Sequence, residues 1–185
     1  MNLRSGVASL GFLLLVLLAT PVGATRFVAL TIEQLAARAE VVVHGTVRAV
    51  EALRAPDGRV FSRAEFDVHD VWKGKLDRVG CRVVWGGGVL GETRVEAAGQ
   101  VDYAVGDEVV VFLGRGPGDD WVTVGLVQGR FRVRREPGSG RRWVHGLFWG
   151  GPEAGTGARP QGMRWPADRP LDFEELKRRT QEVSR

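Results

Sequence analysis

Short runs of β-branched and aromatic residues, separated by turn-forming residues, dominate the chain from residue 41 to residue 149. Valine and aromatic side chains favour strands, whereas clusters of Gly, Pro, Asp and Asn end them. Roughly seven or eight such runs at short spacing, with a helical pattern at each end, predict a mainly β domain of antiparallel strands folded as a small barrel or sandwich.

The predicted strands differ in how they are buried. Residues 41–50 read as a central strand in which Gly45 marks a bulge or a close approach, and residues 60–72 complete a hairpin around the turn 56–58. Residues 109–113 are apolar throughout and predict a strand buried on both faces. Gly86 to Gly88 predict a flexible loop. The remaining predicted strands are 79–85, 93–97 (weaker), 121–127, 130–135 and 142–149.

Two helices are predicted at the ends of this β region. Thr31 with Gln34 three residues later forms a capping-box pattern, which starts a short N-terminal helix. Asp172 is the matching cap for an amphipathic helix over residues 171–185. Between them, residues 150–170 are rich in Gly, Pro, Ala and Arg and predict an irregular segment.

The first 24 residues have the composition of a signal peptide. An apolar run over residues 7–19 is too short to span a bilayer comfortably, and Val22-Gly23-Ala24 provides the small residues that signal peptidase accepts. We predict cleavage after Ala24, which leaves Thr25 as the mature N-terminus of a secreted or periplasmic protein. The alternative is an uncleaved membrane anchor. Because no second apolar run reaches transmembrane length, we predict no stable membrane insertion after cleavage.

Three segments together resemble a known family. They are AEVVVHGTVRAVEA at residues 39–52, FDVHDVWKGK at 66–75 and VGDEVVVFL at 105–113. This order resembles netrin-like and tissue-inhibitor-of-metalloproteinase-like domains, and bacterial secreted relatives of unassigned function. The resemblance implies a small OB-like β-barrel over residues 25–149, flanked by helices. Because the matching positions are mostly core and turn residues, it implies a fold more than a function.

One function implied by the resemblance is inhibition of an extracellular metalloprotease, or an accessory role beside one. The inhibitors of that family begin with a cysteine whose backbone amine and carbonyl chelate the target's zinc, and disulfides hold that terminus in place. Here the predicted terminus is Thr25, and Cys81 is the only cysteine. No internal disulfide is therefore available to preorganise the terminus.

Cys81 itself lies in an alternating strand pattern, which places it most simply in the core. The alternative interpretation is an intermolecular disulfide, which requires Cys81 to be exposed.

No catalytic, metal or cofactor motif is present in the sequence. None of the histidines has metal-ligand spacing, and Ser139 lies in a turn that lacks the G-x-S-x-G pattern. Asp67 and His69 share one face of a strand and could ligate zinc with help from elsewhere, although a solvated polar face explains them more simply. We therefore predict no catalytic residues, no metal and no cofactor. The enzyme alternative is an unrecognised carboxylate site that includes Asp67, Asp70, Glu92 and Glu96.

The best surface signal is an arginine-rich hairpin. Arg130, Arg132 and Arg134 alternate, so their side chains should project from one face while the two residues between them enter the core. Arg142 and Trp143 lie on the returning strand. Arginine with aromatics suits an anionic polymer, although a solvated edge that discourages aggregation is the alternative.

These observations predict an exported, non-enzymatic binding protein of unknown ligand. Its partner is an anionic polymer bound through the Arg130–Arg142 hairpin or an extracellular protein. The formal net charge of +4 is too small to indicate nucleic acid by itself.

Overall fold

The computed structural model describes residues 29–76, 81–96, 99–149 and 170–183. The predicted signal peptide, its cleavage site and nearly all of the segment 150–170 lie outside the described residues. The elements in chain order are α1 (Ile32–Arg38), β1 (Val41–Arg54), β2 (Val60–Lys73), β3 (Cys81–Gly86), β4 (Gly88–Leu90), β5 (Thr93–Val95), β6 (Glu108–Arg115), β7 (Trp121–Thr123), a 3-10 turn (Leu126–Gly129), β8 (Arg130–Arg135), β9 (Arg142–His145), β10 (Leu171–Asp172) and α2 (Phe173–Glu182).

Eight strands form the main sheet, in the order β1-β2-β3-β7-β6-β8-β9-β10, and β1 also pairs with β6. The pairings therefore run from β1 through β2, β3, β7 and β6 and return to β1. All are antiparallel except β3 with β7, which pair in parallel at Val83 and Trp121. The described residues are mainly β with two short helices, as predicted, but the expectation of antiparallel strands throughout is wrong at the contact between β3 and β7.

The apolar residues form two separate clusters on opposite sides of β1 and β6. One cluster draws on β1, β2, β3, β6 and β7, and the other lies between the sheet and the two helices. In β6, Val109, Val111 and Leu113 enter the first cluster, whereas Val110 and Phe112 enter the second. The prediction that this strand is buried on both faces is confirmed.

Both helices begin at the predicted caps. The Thr31 side chain accepts a hydrogen bond from the Gln34 backbone N–H, and the Thr31 backbone N–H donates one to the Gln34 side-chain oxygen, which completes the capping box. Asp172 accepts from the backbone N–H groups of Glu174 and Glu175. No helix within the described ranges is long and apolar enough to cross a membrane.

Three predictions of local structure are wrong. The strand expected over residues 142–149 ends at His145, and a turn closed by a bridge between Gly146 and Trp149 follows it. The strand expected over residues 121–127 ends at Thr123, because Gly125 and Leu126 both adopt positive φ angles of 68° and 58° and turn the chain into the 3-10 segment. The loop expected at Gly86 to Gly88 instead leads into β4, which pairs with β5 as a separate two-stranded sheet.

Cys81 lies in the core, with 1% of its surface exposed, and burial raises the pKa of its thiol to about 12. Because the thiolate is the reactive form, we expect a disulfide reagent at pH 8 to label the native protein on the order of 1,000-fold more slowly than the unfolded chain. Labelling with and without urea measures this ratio. Fast labelling of the native protein would instead show that Cys81 is accessible, as an intermolecular disulfide requires.

Candidate functional sites

The arginine hairpin consists of β8 and β9, paired so that Arg134 lies opposite Trp143 and Arg132 opposite His145. Phe131 and Val133 are buried, as the alternation predicts. The three alternating arginines do not share one environment, however, because neighbouring segments cover the face unevenly.

Arg130 lies inside the protein, with only 3% of its surface exposed. Its guanidinium donates a hydrogen bond to the backbone carbonyl of Asp102 and lies 5.9 Å from the centre of the Tyr103 ring. A side chain held in this way supports the segment before β6. The expectation that Arg130 projects beside Arg132 and Arg134 is therefore wrong.

The other hairpin arginines mostly face carboxylates from distant parts of the chain. Arg132 lies 3.4 Å from an Asp107 oxygen, and Arg142 contacts Glu174 at 2.6 Å while its guanidinium stacks 3.6 Å from the Phe173 ring centre. These acids belong to the turn before β6 and to α2, so the hairpin sequence alone does not reveal them. They neutralise much of the positive charge that the sequence places here.

The tip of the hairpin keeps the features that an anionic ligand would use. Arg134 is exposed, and the Arg141 guanidinium, which also donates a hydrogen bond to Asp172 at 3.0 Å, stacks 4.3 Å from the centre of the half-buried Trp143 ring. An exposed arginine beside a stacked arginine–aromatic pair is a small preformed recognition surface.

A cleft of about 510 Å³ lies between the β1–β2–β3 face and the β4–β5 hairpin. Trp85 forms part of its wall and packs edge-on against Tyr103, with ring centres 5.3 Å apart. The other lining residues are Val50, Glu51, Ala52, Ser62, Gly86, Gly88, Val89, Arg94, Val95, Glu96, Gln100, Val101 and Asp102.

The cleft combines an apolar surface with unused polar groups. Val89 and Val95 are 57% and 40% exposed. Within the part of the chain that the structure describes, neither the Trp85 indole N–H nor the Gln100 side-chain amide has a hydrogen-bond partner. Its charged lining residues are three acids and one arginine, so the cleft does not favour a polyanion.

A third site brings together His44 of β1, His69 of β2 and Glu108 of β6. The His44 Nε2 lies 2.9 Å from a Glu108 carboxylate oxygen, and the two imidazole rings meet edge-on with centres 5.0 Å apart. One nitrogen from each histidine and one Glu108 oxygen all lie within 4.8 Å of one another. Sequence inspection missed this grouping.

A β-bulge explains how His69 reaches this site. His44 pairs with Asp70 and Gly45 pairs with Val68, so His69 is the extra residue between two paired positions. A Cβ at Gly45 would lie 2.6 Å from the Asp67 backbone oxygen, so only glycine allows this close approach of the strands. The predicted bulge or close approach at Gly45 is confirmed.

The surroundings of His44 and Glu108 determine the charge of each of these two side chains. Burial lowers the pKa of His44, and the hydrogen bond with Glu108 opposes this effect without overcoming it. Burial acts to raise the pKa of Glu108, but the hydrogen bond with His44 and the nearby Arg135 guanidinium hold it below its usual value. At neutral pH the pair therefore consists of a neutral imidazole and a carboxylate.

The carboxylates considered for an enzyme lie in separate contacts. Asp67 lies 3.5 Å from the Arg48 guanidinium, and Asp70 contacts Lys177 at 2.7 Å. Glu96 contacts Arg94 at 2.6 Å. Among the described residues, His44, His69 and Glu108 are the one group of three metal-ligating side chains found together.

Comparison with known proteins adds no identification. No protein-family model matches the sequence, and a search of curated proteins finds no match either. A function for this chain is therefore argued from the geometry of these three sites.

Proposed function

We propose that this chain is an exported, non-enzymatic binding protein whose domain is an OB-like barrel of the netrin-like type. The circuit of pairings through β1, β2, β3, β7 and β6 supports the barrel, because each of these five strands finds a partner on both sides. The apolar cluster drawn from the same five strands supplies the interior that such a barrel needs. Export to the periplasm or the medium rests on the predicted cleavage after Ala24.

The cleft beside Trp85 is the proposed ligand site, and it is the observation that carries the binding function. OB-folds bind oligosaccharides and oligonucleotides on the face of their second and third strands. Ser62 of β2 and Trp85 of β3 line the cleft, which has a volume typical of ligand pockets.

The chemistry of the cleft favours a short uncharged oligosaccharide. A sugar presents a flat face of C–H groups, which packs on an aromatic ring, and a rim of hydroxyls, which pair with groups such as the Trp85 N–H and the Gln100 amide. The acidic lining disfavours anionic polymers in this cleft.

The test is binding of the full chain to an array of neutral oligosaccharides and heparin fragments. We expect at least one neutral oligosaccharide to bind, and Trp85→Ala to weaken that binding by roughly tenfold or more because it removes the stacking surface. Trp143→Ala is the matched control, since it removes an indole outside the cleft. Circular dichroism of each variant checks that the fold is retained.

The hairpin tip gives the second candidate function, which is binding of an anionic polymer. The exposed Arg134 and the stacked Arg141–Trp143 pair favour it. Heparin binding that falls steeply with salt and is weakened by Arg134→Ser, but not by Trp85→Ala, would place the site on the hairpin. Binding of neither class would contradict both sites. Inhibition of a metalloprotease stays a prediction from the resemblance, since Thr25 lies outside the described residues.

A further inference from the structure

We propose that His44, His69 and Glu108 form a binding site for a divalent transition metal, with Zn²⁺ as the ion that best fits these ligands. Two imidazole nitrogens and one carboxylate oxygen are a ligand set that zinc accepts in proteins. This inference is independent of the cleft, because the three residues do not line it.

The distances within the cluster are close to those that one ion requires. Zinc–nitrogen and zinc–oxygen bonds are about 2.0–2.2 Å long, so two ligand atoms of one tetrahedral ion lie about 3.3–3.6 Å apart. The chosen ligand atoms already lie within 4.8 Å of one another. An inward movement of roughly 1 Å by the exposed His69 side chain, with a small widening of the 2.9 Å contact between His44 and Glu108, brings the three atoms to these separations.

His44 and Glu108 are held in place before any ion arrives. His44 is 5% exposed, and the Phe173 ring packs edge-on against it with centres 4.9 Å apart. Glu108 is held by the Arg135 guanidinium, whose Nη2 lies 3.3 Å from the carboxylate oxygen that contacts His44. Zinc binding at the His44 Nε2 would displace the proton of this hydrogen bond, and the imidazole would stay neutral by carrying its proton on Nδ1.

The backbone also positions the three proposed ligands rigidly. The three ligands come from three adjacent strands, and ligands on strands are positioned more rigidly than ligands on loops. The bulge at His69 directs this side chain toward His44 at the cost of one unpaired position. Thr46, two residues after His44, contacts the His69 Nε2 at 3.3 Å and orients the ring.

Three protein ligands leave one position of a tetrahedral ion open. Because His69 is exposed, this position faces solvent and is available to water or to a donor atom of another molecule. The site is therefore expected to bind zinc with an exchangeable fourth ligand.

The experiment uses the full chain without a histidine tag, stripped of metal with a chelator. Calorimetric titration with Zn²⁺ is expected to give one ion per chain, and Co²⁺ is expected to give the strong visible absorption of a four-coordinate ion. His69→Ala should weaken Zn²⁺ binding by about 100-fold or more, since it removes one of three ligands. Because His69 is exposed, this variant should fold normally, which circular dichroism checks.

Two further variants separate a built site from chance binding. His145→Ala removes a histidine outside the cluster and should leave Zn²⁺ affinity unchanged. Arg135→Ser removes a positive charge beside Glu108 and should tighten Zn²⁺ binding several-fold, an effect that a site elsewhere would not show. Absence of stoichiometric binding, or equal affinity of wild type and His69→Ala, would overturn the proposal.

Discussion

Replacing Phe112 with Ala is expected to lower the free energy of unfolding by about 3–5 kcal/mol. Phe112 has no exposed surface and lies 5.7 Å, centre to centre, from the Phe131 ring in the cluster between the sheet and the helices. Small domains are stable by only about 5–15 kcal/mol, so this one change removes a large share of the total. Urea unfolding followed by tryptophan fluorescence measures the loss.

Phe61→Ala is the matched control for this prediction. Phe61 lies in β2, is only partly buried and belongs to neither apolar cluster. Its replacement should cost less than about 1.5 kcal/mol, because little buried apolar area is lost. Equal losses in the two variants would contradict the assignment of Phe112 to the apolar cluster between the sheet and the two helices.

The sequence predicts most of the secondary structure because the relevant signals are local. The β-branched runs predict β1, β2 and β6, and the capping pairs predict where both helices begin. The fully apolar run 109–113 also predicts burial on both faces. The sequence does not predict that β7 ends at Thr123, because the apolar pattern continues past that residue. The strand ends where Gly125 and Leu126 adopt left-handed backbone conformations, which a leucine rarely adopts.

The metal-ligating cluster is beyond sequence reasoning for a different reason. His44 and Glu108 are 64 residues apart and meet only because β1 pairs with β6. Alternation along β2 places His69 on the same face as Asp67, but it does not show that the pairing with β1 also brings His69 to His44. One local signal was present, since a histidine within the valine run 41–47 is a polar residue in a buried strand.

The arginine hairpin shows the limit of alternation as a predictor of surface. A period of two assigns side chains to the two faces of a strand, and it correctly buries Phe131 and Val133. It does not say what covers the opposite face. The segment before β6 crosses that face at Asp102 and Tyr103, which buries the first arginine and leaves Arg134 exposed.

Arg130→Ala is therefore expected to act on stability, lowering the free energy of unfolding by about 2–3 kcal/mol. The change removes the donor to the Asp102 carbonyl and leaves a cavity beside Tyr103. Arg134→Ala, at an exposed position of the same strand, should change stability by no more than about 0.5 kcal/mol. Urea unfolding of both variants measures the difference.

A second variant at position 130 separates the loss of packing from the loss of the charge and the hydrogen bond. Arg130→Met keeps the length of the side chain and most of its packing but removes the charge and the hydrogen bond, so it should be less destabilised than Arg130→Ala. If Arg130→Ala were as stable as wild type but lost binding to heparin, Arg130 would be a ligand residue after all. A loss of stability without a loss of binding assigns it to the interior, and any anion site on the hairpin then rests on Arg134 and the Arg141–Trp143 pair.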